Sequence, residues 1–257
     1  MTPRLEGRKI VVVGAGTRVT DDPEAPVGNG RAIAVLAARE GASVACVDVS
    51  TEAAAATAAL VADEGGKAFV IGADVSDPDA CASLVEESVA ALGGIDGIVL
   101  NVGIGAGVGL KGTTVEDWDL VANVNMRAHF LVCQAAKEHL GEGSSIVFIS
   151  SVAGLNPGSR IPVYDTTKAA LLGLSRHVAA EMAGRGVRSN VVCPGLIDTP
   201  LGRVASGGRP SRERTPVPLK RQGTAWEVAA PVVFLLSDEA SYITGQVLVV
   251  DGGLFMR

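Results

Sequence analysis

The chain lacks the marks of several large protein classes. No apolar run reaches the roughly 18 residues that a membrane-spanning helix needs. The first residues, Met-Thr-Pro-Arg-Leu-Glu-Gly-Arg-Lys, hold no apolar stretch of the secretory-signal kind, so the expected location is cytoplasmic, with no membrane partner. Cysteine is sparse: Cys46, Cys81, Cys133 and Cys193 stand far apart, without metal-ligand spacing, and read as buried structural residues. Only three histidines occur; His129, His139 and His177 lie on helical patterns and form no local cluster, so no metal site is expected. Positive charge is in deficit, 22 Lys and Arg against 28 Asp and Glu, and the net charge of −6 argues against a nucleic-acid partner. Linkers and solenoid-period repeats are also missing.

What is present fits one domain with a large core: 257 residues, 47% hydrophobic and 19% charged. Short apolar runs alternate with helical patterns along the whole length. Lys9–Val13 reads as a strand, followed by Gly14-Ala15-Gly16 and, later, by Gly28-Asn29-Gly30 opening a helix to about Glu40. Val44–Val47 reads as the next strand and ends in Asp48. Further strands are expected at Ala68–Ile71, Gly97–Leu100, Ile146–Ile149, Arg188–Val192 and Val247–Val250, with helices between them. One long helix is expected to carry Trp118 and Asn125 and to reach about Leu140. The fold class expected is α/β: a single-domain, Rossmann-like, doubly wound parallel sheet with helices on both faces.

The opening strand–glycine loop–helix–strand unit follows the logic of dinucleotide binding. Glycines let the backbone approach a pyrophosphate, and the helix N-terminus offers N–H groups and a positive dipole. Asp48 can accept hydrogen bonds from both adenosine ribose hydroxyls, and it would repel a 2′-phosphate. No basic residue follows it directly, so NAD is favoured over NADP.

A second informative stretch runs from Ser150 to Lys168. Tyr164 and Lys168 are four apart at the start of a helical pattern, so both side chains project from one face. A free tyrosine has a pKa of about 10, and a nearby ammonium favours the phenolate. That moves the tyrosine toward general acid/base use. Ser151, at the end of the preceding strand, can hold the reacting oxygen. The pair alone is a weak signal, because such i,i+4 pairs usually decorate a helix surface.

The ordered set is specific. Gly14, Gly28, Gly30, Asp48, Asp74-Val75, Asn101-Val102-Gly103, Asn125, Ser151, Tyr164-x-x-x-Lys168, Asn190-x-x-x-Pro194-Gly195, Thr199-Pro200 and the terminal Ser241-Tyr-Ile-Thr-Gly-Gln246…Val250-Asp-Gly-Gly253 appear in sequence. Together they resemble the short-chain dehydrogenase/reductase family over essentially the full chain. The resemblance implies that Tyr164 is the proton donor or acceptor and that Ser151 orients the carbonyl or alcohol oxygen. It implies that Lys168 holds the nicotinamide ribose, and that Asn125 holds a water linking Lys168 to solvent. Asp74 and Val75 would contact the adenine, and Asn101 and Gly103 would border the cofactor. Ile197 and Thr199, after Pro194 and Gly195, would meet the nicotinamide carboxamide. Family members are commonly tetramers, so a homotetramer acting on a small-molecule substrate is expected.

Three departures stand out. Gly14 and Gly28 are fourteen apart, where the family pattern is Gly-x-x-x-Gly-x-Gly. Residues 17–27 therefore read as an insertion of about ten residues, a cheap excursion for a surface loop. Asp21, Asp22 and Glu24 there are expected to face solvent; Arg18 could reach a phosphate. Leu100 stands where the family commonly has a first Asn before Asn101. The run Gly103-Ile-Gly-Ala-Gly-Val-Gly109 suggests a roomy substrate wall, and Leu155, Asn156, Ile161 and Val163 suggest an apolar pocket. Residues 199–223 read as a substrate lid, where Arg203, Arg209, Arg212 and Arg214 could attract an anionic substrate. The reading favoured is an NAD(H)-dependent oxidoreductase interconverting a secondary alcohol and a ketone. The alternatives are an NADP(H)-dependent 3-oxoacyl-thioester reductase and a catalytically silent dinucleotide sensor. A lyase or epimerase using bound NAD would require a larger substrate domain.

Overall fold

The computed structural model describes residues 3–18, 20, 24–206 and 217–256. In chain order the strands are β1 (Lys9–Val13), β2 (Ser43–Asp48), β3 (Lys67–Gly72), β4 (Gly97–Leu100), β5 (Ser145–Ile149), β6 (Arg188–Pro194), β7 (Ile197–Asp198), β8 (Gly223–Thr224) and β9 (Val247–Val250). The helices are α1 (Asn29–Arg39), α2 (Thr51–Asp63), α3 (Pro78–Leu92), α4 (Val115–Ala122), α5 (Ala128–Ala136), α6 (Pro162–Met182), α7 (Pro200–Ser206) and α8 (Ala225–Leu236). Seven strands form one parallel sheet in the order β3-β2-β1-β4-β5-β6-β9, and β7 pairs with β8 outside it.

The strand sequences dictate two buried faces. Side chains alternate across a strand, so apolar runs with no polar alternation need cover on both sides. Val11, Val13, Ile98, Leu100, Ile146, Phe148, Val191 and Cys193 pack on one face against α3, α5 and α6. Ile10, Val12, Val44, Cys46, Val99, Val147 and Val192 pack on the other against α1 and α8. All four cysteines are buried and free, as expected.

Helix ends follow local chemistry. Asp77 caps α3 through the Asp79 N–H, Pro78 starts it, and Gly93 ends it in the left-handed conformation (φ +74°). Thr114 with Asp117, and Thr224 with Glu227, form reciprocal capping boxes at α4 and α8. The expected long helix is interrupted. Between α4 and α5 lies a π-helical turn, Asn123–Arg127, where the Ala128 N–H reaches back to the Asn123 carbonyl. The cause is at Asn125, whose side chain is drawn out to the backbone of Ile104.

The strand order reverses between β1 and β4. The chain leaves β1 for one face of the sheet and β4 for the other, opening a crevice at the carboxyl ends, where open α/β sheets bind ligands.

Candidate active site

The loop after β1 is built by close backbone approach. The Gly14 and Ala15 N–H groups donate to the Val47 carbonyl at 2.8 and 2.9 Å. Gly14 adopts φ +85°, and a Cβ on Gly30 would overlap the Gly14 carbonyl oxygen. That oxygen accepts from Asn101 Nδ2 at 2.8 Å, so Asn101 ties the end of β4 to the glycine loop. The Gly28 N–H donates to Thr17 Oγ1 at 2.9 Å, so the chain after Thr17 returns to where it left. Helix α1 then starts with no side-chain cap and no acid in its first turn, which leaves its N–H groups and dipole for an anion. Gly16, which sequence reasoning did not assign, matters as well: its N–H donates to Asp48 Oδ2 at 2.8 Å, and its Cβ would crowd that carboxylate and Ala53. The signal was available in the Gly-Ala-Gly run. Asp48 Oδ1 accepts from the Ser50 N–H at 3.1 Å, which leaves lone pairs on both oxygens for further donors. An extended dinucleotide suits these features: a side-chain-free backbone cradle, an uncapped helix start, and a carboxylate at the end of β2.

In the loop after β3, Asp74 Oδ1 accepts from the Ser76 N–H at 2.9 Å and Val75 is buried in the core. Arg127 Nη2 on the π turn donates to the Ser76 carbonyl at 2.7 Å, joining this loop to the turn that carries Asn125.

The chemistry-bearing cluster sits at the ends of β4, β5 and β6. Lys168 is 3% exposed, and its Nζ donates to the Ile149 carbonyl at 2.9 Å. The same Nζ lies 5.7 Å from the centroid of the Tyr164 ring. Burial pushes the Lys168 ammonium down to about 8, with Cys193 acting weakly the other way. Ser151 ends the β5 segment in extended backbone, and its Oγ accepts from the Ala153 N–H at 3.1 Å, leaving its hydroxyl proton to donate. Ser150 Oγ donates to the Lys168 carbonyl at 2.7 Å, and a Cβ on Gly154 would clash with the Lys168 backbone, so this turn seats directly on α6. Gly154 was not singled out in the sequence; its position three residues after Ser151 is the only sign of that approach. Asn125 Oδ1 accepts from the Ile104 N–H at 2.8 Å, and its Nδ2 donates to the Ile104 carbonyl at 2.9 Å and to Thr167 Oγ1 at 3.3 Å. Its side chain is thus engaged by protein, and anything it holds for Lys168 must use the backbone.

Residues 26–255 match the family described as enoyl-(acyl carrier protein) reductase. A 3-oxoacyl-(acyl-carrier-protein) reductase of Thermotoga maritima is 37% identical over 98% of this chain and 99% of its own. A probable galactose dehydrogenase of Rhizobium meliloti is 34% identical over 98% of this chain and 97% of its own. A short-chain dehydrogenase of Burkholderia cenocepacia, solved in complex with NADP, superposes with a TM-score of 0.87 at 33% identity, covering 98% of this chain and 99% of its own. The chain belongs to the short-chain dehydrogenase/reductase family. It is an oxidoreductase acting on CH–OH or carbonyl groups, and its family binds a nicotinamide dinucleotide.

Within this short-chain dehydrogenase/reductase fold, several expected features come out differently. The glycine run after β4 is not an empty wall. A Cβ on Gly103 would lie 2.9 Å from Lys168 Nζ, one on Gly105 would lie 2.9 Å from Ile161 Cδ1, and one on Gly107 (φ +74°) would meet Thr113. A Cβ on Gly109 (φ +64°) would meet nothing, so the far end of the run is open. Val163 is fully buried in the core. Gly195 lies against Asp251, and its N–H donates to the Val250 carbonyl, tying Pro194-Gly195 to β9. Thr199 Oγ1 accepts from the Gly202 N–H at 3.0 Å and caps α7, with Pro200 its first residue, as the sequence suggested. Arg203 is bound to Asp198 through two contacts, 2.7 and 3.0 Å, which lower the Asp198 pKa and take this arginine from the set expected to attract an anion. Arg209, Arg212 and Arg214, like Asp21 and Asp22, lie outside the described residues; Arg18 and Glu24 are exposed. Among the described residues no group of His, Cys, Asp and Glu could hold a metal ion, and no helix is long and apolar enough to cross a membrane.

Proposed function

We propose that the chain is an NAD(H)-dependent dehydrogenase that interconverts a secondary alcohol and a ketone, with Tyr164 as general acid/base. The observation that carries this reading is the Lys168 ammonium, sealed from solvent, held by the Ile149 carbonyl and 5.7 Å from the Tyr164 ring. A charge there favours the phenolate, which takes the hydroxyl proton of an alcohol and returns it to a ketone in the reverse direction. The Ser151 hydroxyl orients the substrate oxygen. Gly14, Gly16, Gly28 and Gly30 admit the pyrophosphate, Asp48 takes the adenosine ribose, and Ile197 and Thr199 lie toward the carboxamide. The bound nicotinamide supplies the hydride chemistry. The assay is the absorbance of reduced nicotinamide when NAD⁺ or NADP⁺ is offered with a panel of secondary alcohols and hydroxyacyl thioesters. Alcohol-dependent reduction of NAD⁺ supports the reading; no reduction of either cofactor with any alcohol counts against it.

Asp48 carries the preference for NAD. Its carboxylate is held by Gly16 and Ser50, and a 2′-phosphate would meet its charge at close range. The basic side chain near it, Arg31, is half-buried and directed onto Thr57 Oγ1 and the Ala53 carbonyl. Asp48→Ser is expected to move the ratio of kcat/KM for NADP⁺ to that for NAD⁺ upward by about fivefold or more, since removing a repelling charge is worth about 1 kcal/mol or more at this range. An unchanged ratio in the cofactor comparison would remove Asp48 as the determinant. The second reading, an NADP(H)-dependent 3-oxoacyl-thioester reductase, draws on the Thermotoga relative and on the NADP complex of the Burkholderia one. The NADP⁺ and thioester arms of the same panel separate the two.

The pH dependence follows from Lys168. Its ammonium is charged below about 8 and loses its proton above it. Alcohol oxidation is therefore expected to rise with pH as Tyr164 becomes phenolate and to fall above about pH 8 as the supporting charge is lost, a bell read from kcat/KM against pH. A profile that still climbs at pH 10 would show that Lys168 does not support the base. A cytoplasmic homotetramer remains our expectation from the family; half-exposed Leu248 on β9 and exposed Met256 after it would suit a subunit contact, which sedimentation would reveal.

A further inference from the structure

The loop after β4 is stapled to the segment that starts α6. The Gly109 N–H donates to the Arg160 carbonyl at 2.8 Å, and Val108 pairs with Gly112 across a tight turn. Arg160 is held in the left-handed conformation (φ +68°), a strain that persists only where the surroundings fix it and that gathers at ligand sites. Beside this turn lies a hollow of about 230 Å³, lined by Leu110, Thr113, Thr114, Val115, Trp118 and Pro162. No side chain of the lining is charged. Both threonine hydroxyls are engaged by backbone: Thr113 Oγ1 donates to the Gly109 carbonyl at 2.8 Å, and Thr114 Oγ1 accepts from the Asp117 N–H at 3.1 Å as the cap of α4. The hollow therefore offers a ligand mainly carbon. Leu110, Val115 and Trp118 are 91%, 70% and 41% exposed, so three large apolar side chains meet solvent in one place.

The hollow shares both of its walls with Tyr164. On the loop, Gly105 lies against Ile161 Cδ1 and the Tyr164 ring, which its Cβ would approach to 2.9 and 3.9 Å, and Leu110, five residues later, lines the hollow. On α6, Pro162 lines the hollow and Tyr164 stands two residues further on. We propose that the hollow formed by Leu110, Val115, Trp118 and Pro162 receives an apolar arm of the substrate, so that the preferred alcohol or ketone carries an alkyl chain or ring on one side of its reacting carbon. The proposal deepens the dehydrogenase reading and rests on it. A cavity of about 150 Å³ lined by apolar side chains takes up benzene, so this volume suits a group of roughly six to eight carbons. Six lining residues are few for a contact between copies of the chain, which takes about 20–30 residues a side.

The chain offers a direct readout, because it has two tryptophans and the other, Trp226, lies on α8 with Arg39 over its ring. In a Trp226→Phe background, tryptophan fluorescence follows Trp118 alone. The protein is titrated with 2-alkanols from 2-butanol to 2-decanol in the presence of ADP-ribose, which suits the dinucleotide site but carries no nicotinamide and allows no turnover. The expected result is a saturable blue shift whose Kd falls about threefold for each added methylene up to about 2-octanol and then levels off, the behaviour of a chain being buried in carbon. With NAD⁺ in place of ADP-ribose, kcat/KM should climb in the same steps. Val115→Glu puts a charge on the lining at the first residue of α4, where an acid suits the helix dipole, and should cut the dependence to about 1.5-fold per methylene or less. Leu110→Ser changes an open position that carries no packing, and should weaken 2-octanol by about fivefold while leaving 2-butanol within about twofold. No response at Trp118, the parent's chain-length dependence in both variants, or a flat kcat/KM across the series would overturn the proposal. So would emission that shifts on dilution together with a falling mass in sedimentation, which would give the hollow to a second copy of the chain. Length-dependent binding with no alcohol oxidised would sink the dehydrogenase reading and leave the apolar site standing; oxidation with no response at Trp118 would do the reverse.

Discussion

Tyr164→Phe is expected to lower alcohol oxidation by about 10²–10⁴-fold, the contribution that a positioned acid/base group makes. The substitution removes one oxygen and keeps the ring that packs beside Gly105. Dinucleotide affinity, read by quenching of protein fluorescence, should stay within about twofold, because the tyrosine acts on the reacting proton and uniform binding is untouched. A variant that binds cofactor normally and turns over normally would remove Tyr164 from the chemistry. A parallel loss of binding would show instead that the ring supports the cofactor site. The contrast between kcat and Kd separates a proton-transfer role from a structural one.

Gly30→Ala should have an effect of similar size on a different quantity. The added Cβ would be driven into the Gly14 carbonyl oxygen, which is backbone and already bonded to Asn101. Neither partner can give way without moving the loop away from the N-terminus of α1. Cofactor Kd is expected to rise by about a hundredfold, equivalent to roughly 2.7 kcal/mol, with a drop in Tm from the same strain. Gly184→Ala is the control: a Cβ there meets nothing, and its cost should lie within about 0.5 kcal/mol. If G30A binds cofactor as tightly as the parent does, the glycine loop is not the pyrophosphate cradle.

Much of the fold could be read from the strands, and for a physical reason. Lys9–Val13, Gly97–Leu100 and Val247–Val250 are short apolar runs punctuated by glycine or charge, and they fall where the sequence placed them. The helix Pro78–Leu92 carries its own local punctuation, Asp77-Pro78 at the start and Gly93 at the end. The interruption at Asn123–Arg127 was not legible. It arises from a tertiary bond between Asn125 and Ile104, which no local pattern records. The juxtaposition of Tyr164 and Lys168 was visible as a helical spacing. The sealing of Lys168 was not, since it depends on Ile149, Gly103 and Gly154 coming together from two other segments. Within the glycine run after β4, sequence could not tell Gly103, Gly105 and Gly107, which have close neighbours, from Gly109, which has none. His129 read as an ordinary helical residue because sequence shows burial poorly.

The central claim, hydride transfer from a carbinol carbon with Tyr164 taking the proton, is tested most directly by isotope. The protein is given NAD⁺ and the alcohol panel deuterated at the carbinol carbon, and the reduced nucleotide is weighed by mass spectrometry. The account predicts one deuterium on the reduced cofactor for each ketone formed, and almost no product when Tyr164 is replaced by Phe. Reduced nucleotide carrying only hydrogen, or ketone formed without reduced nucleotide, would contradict it.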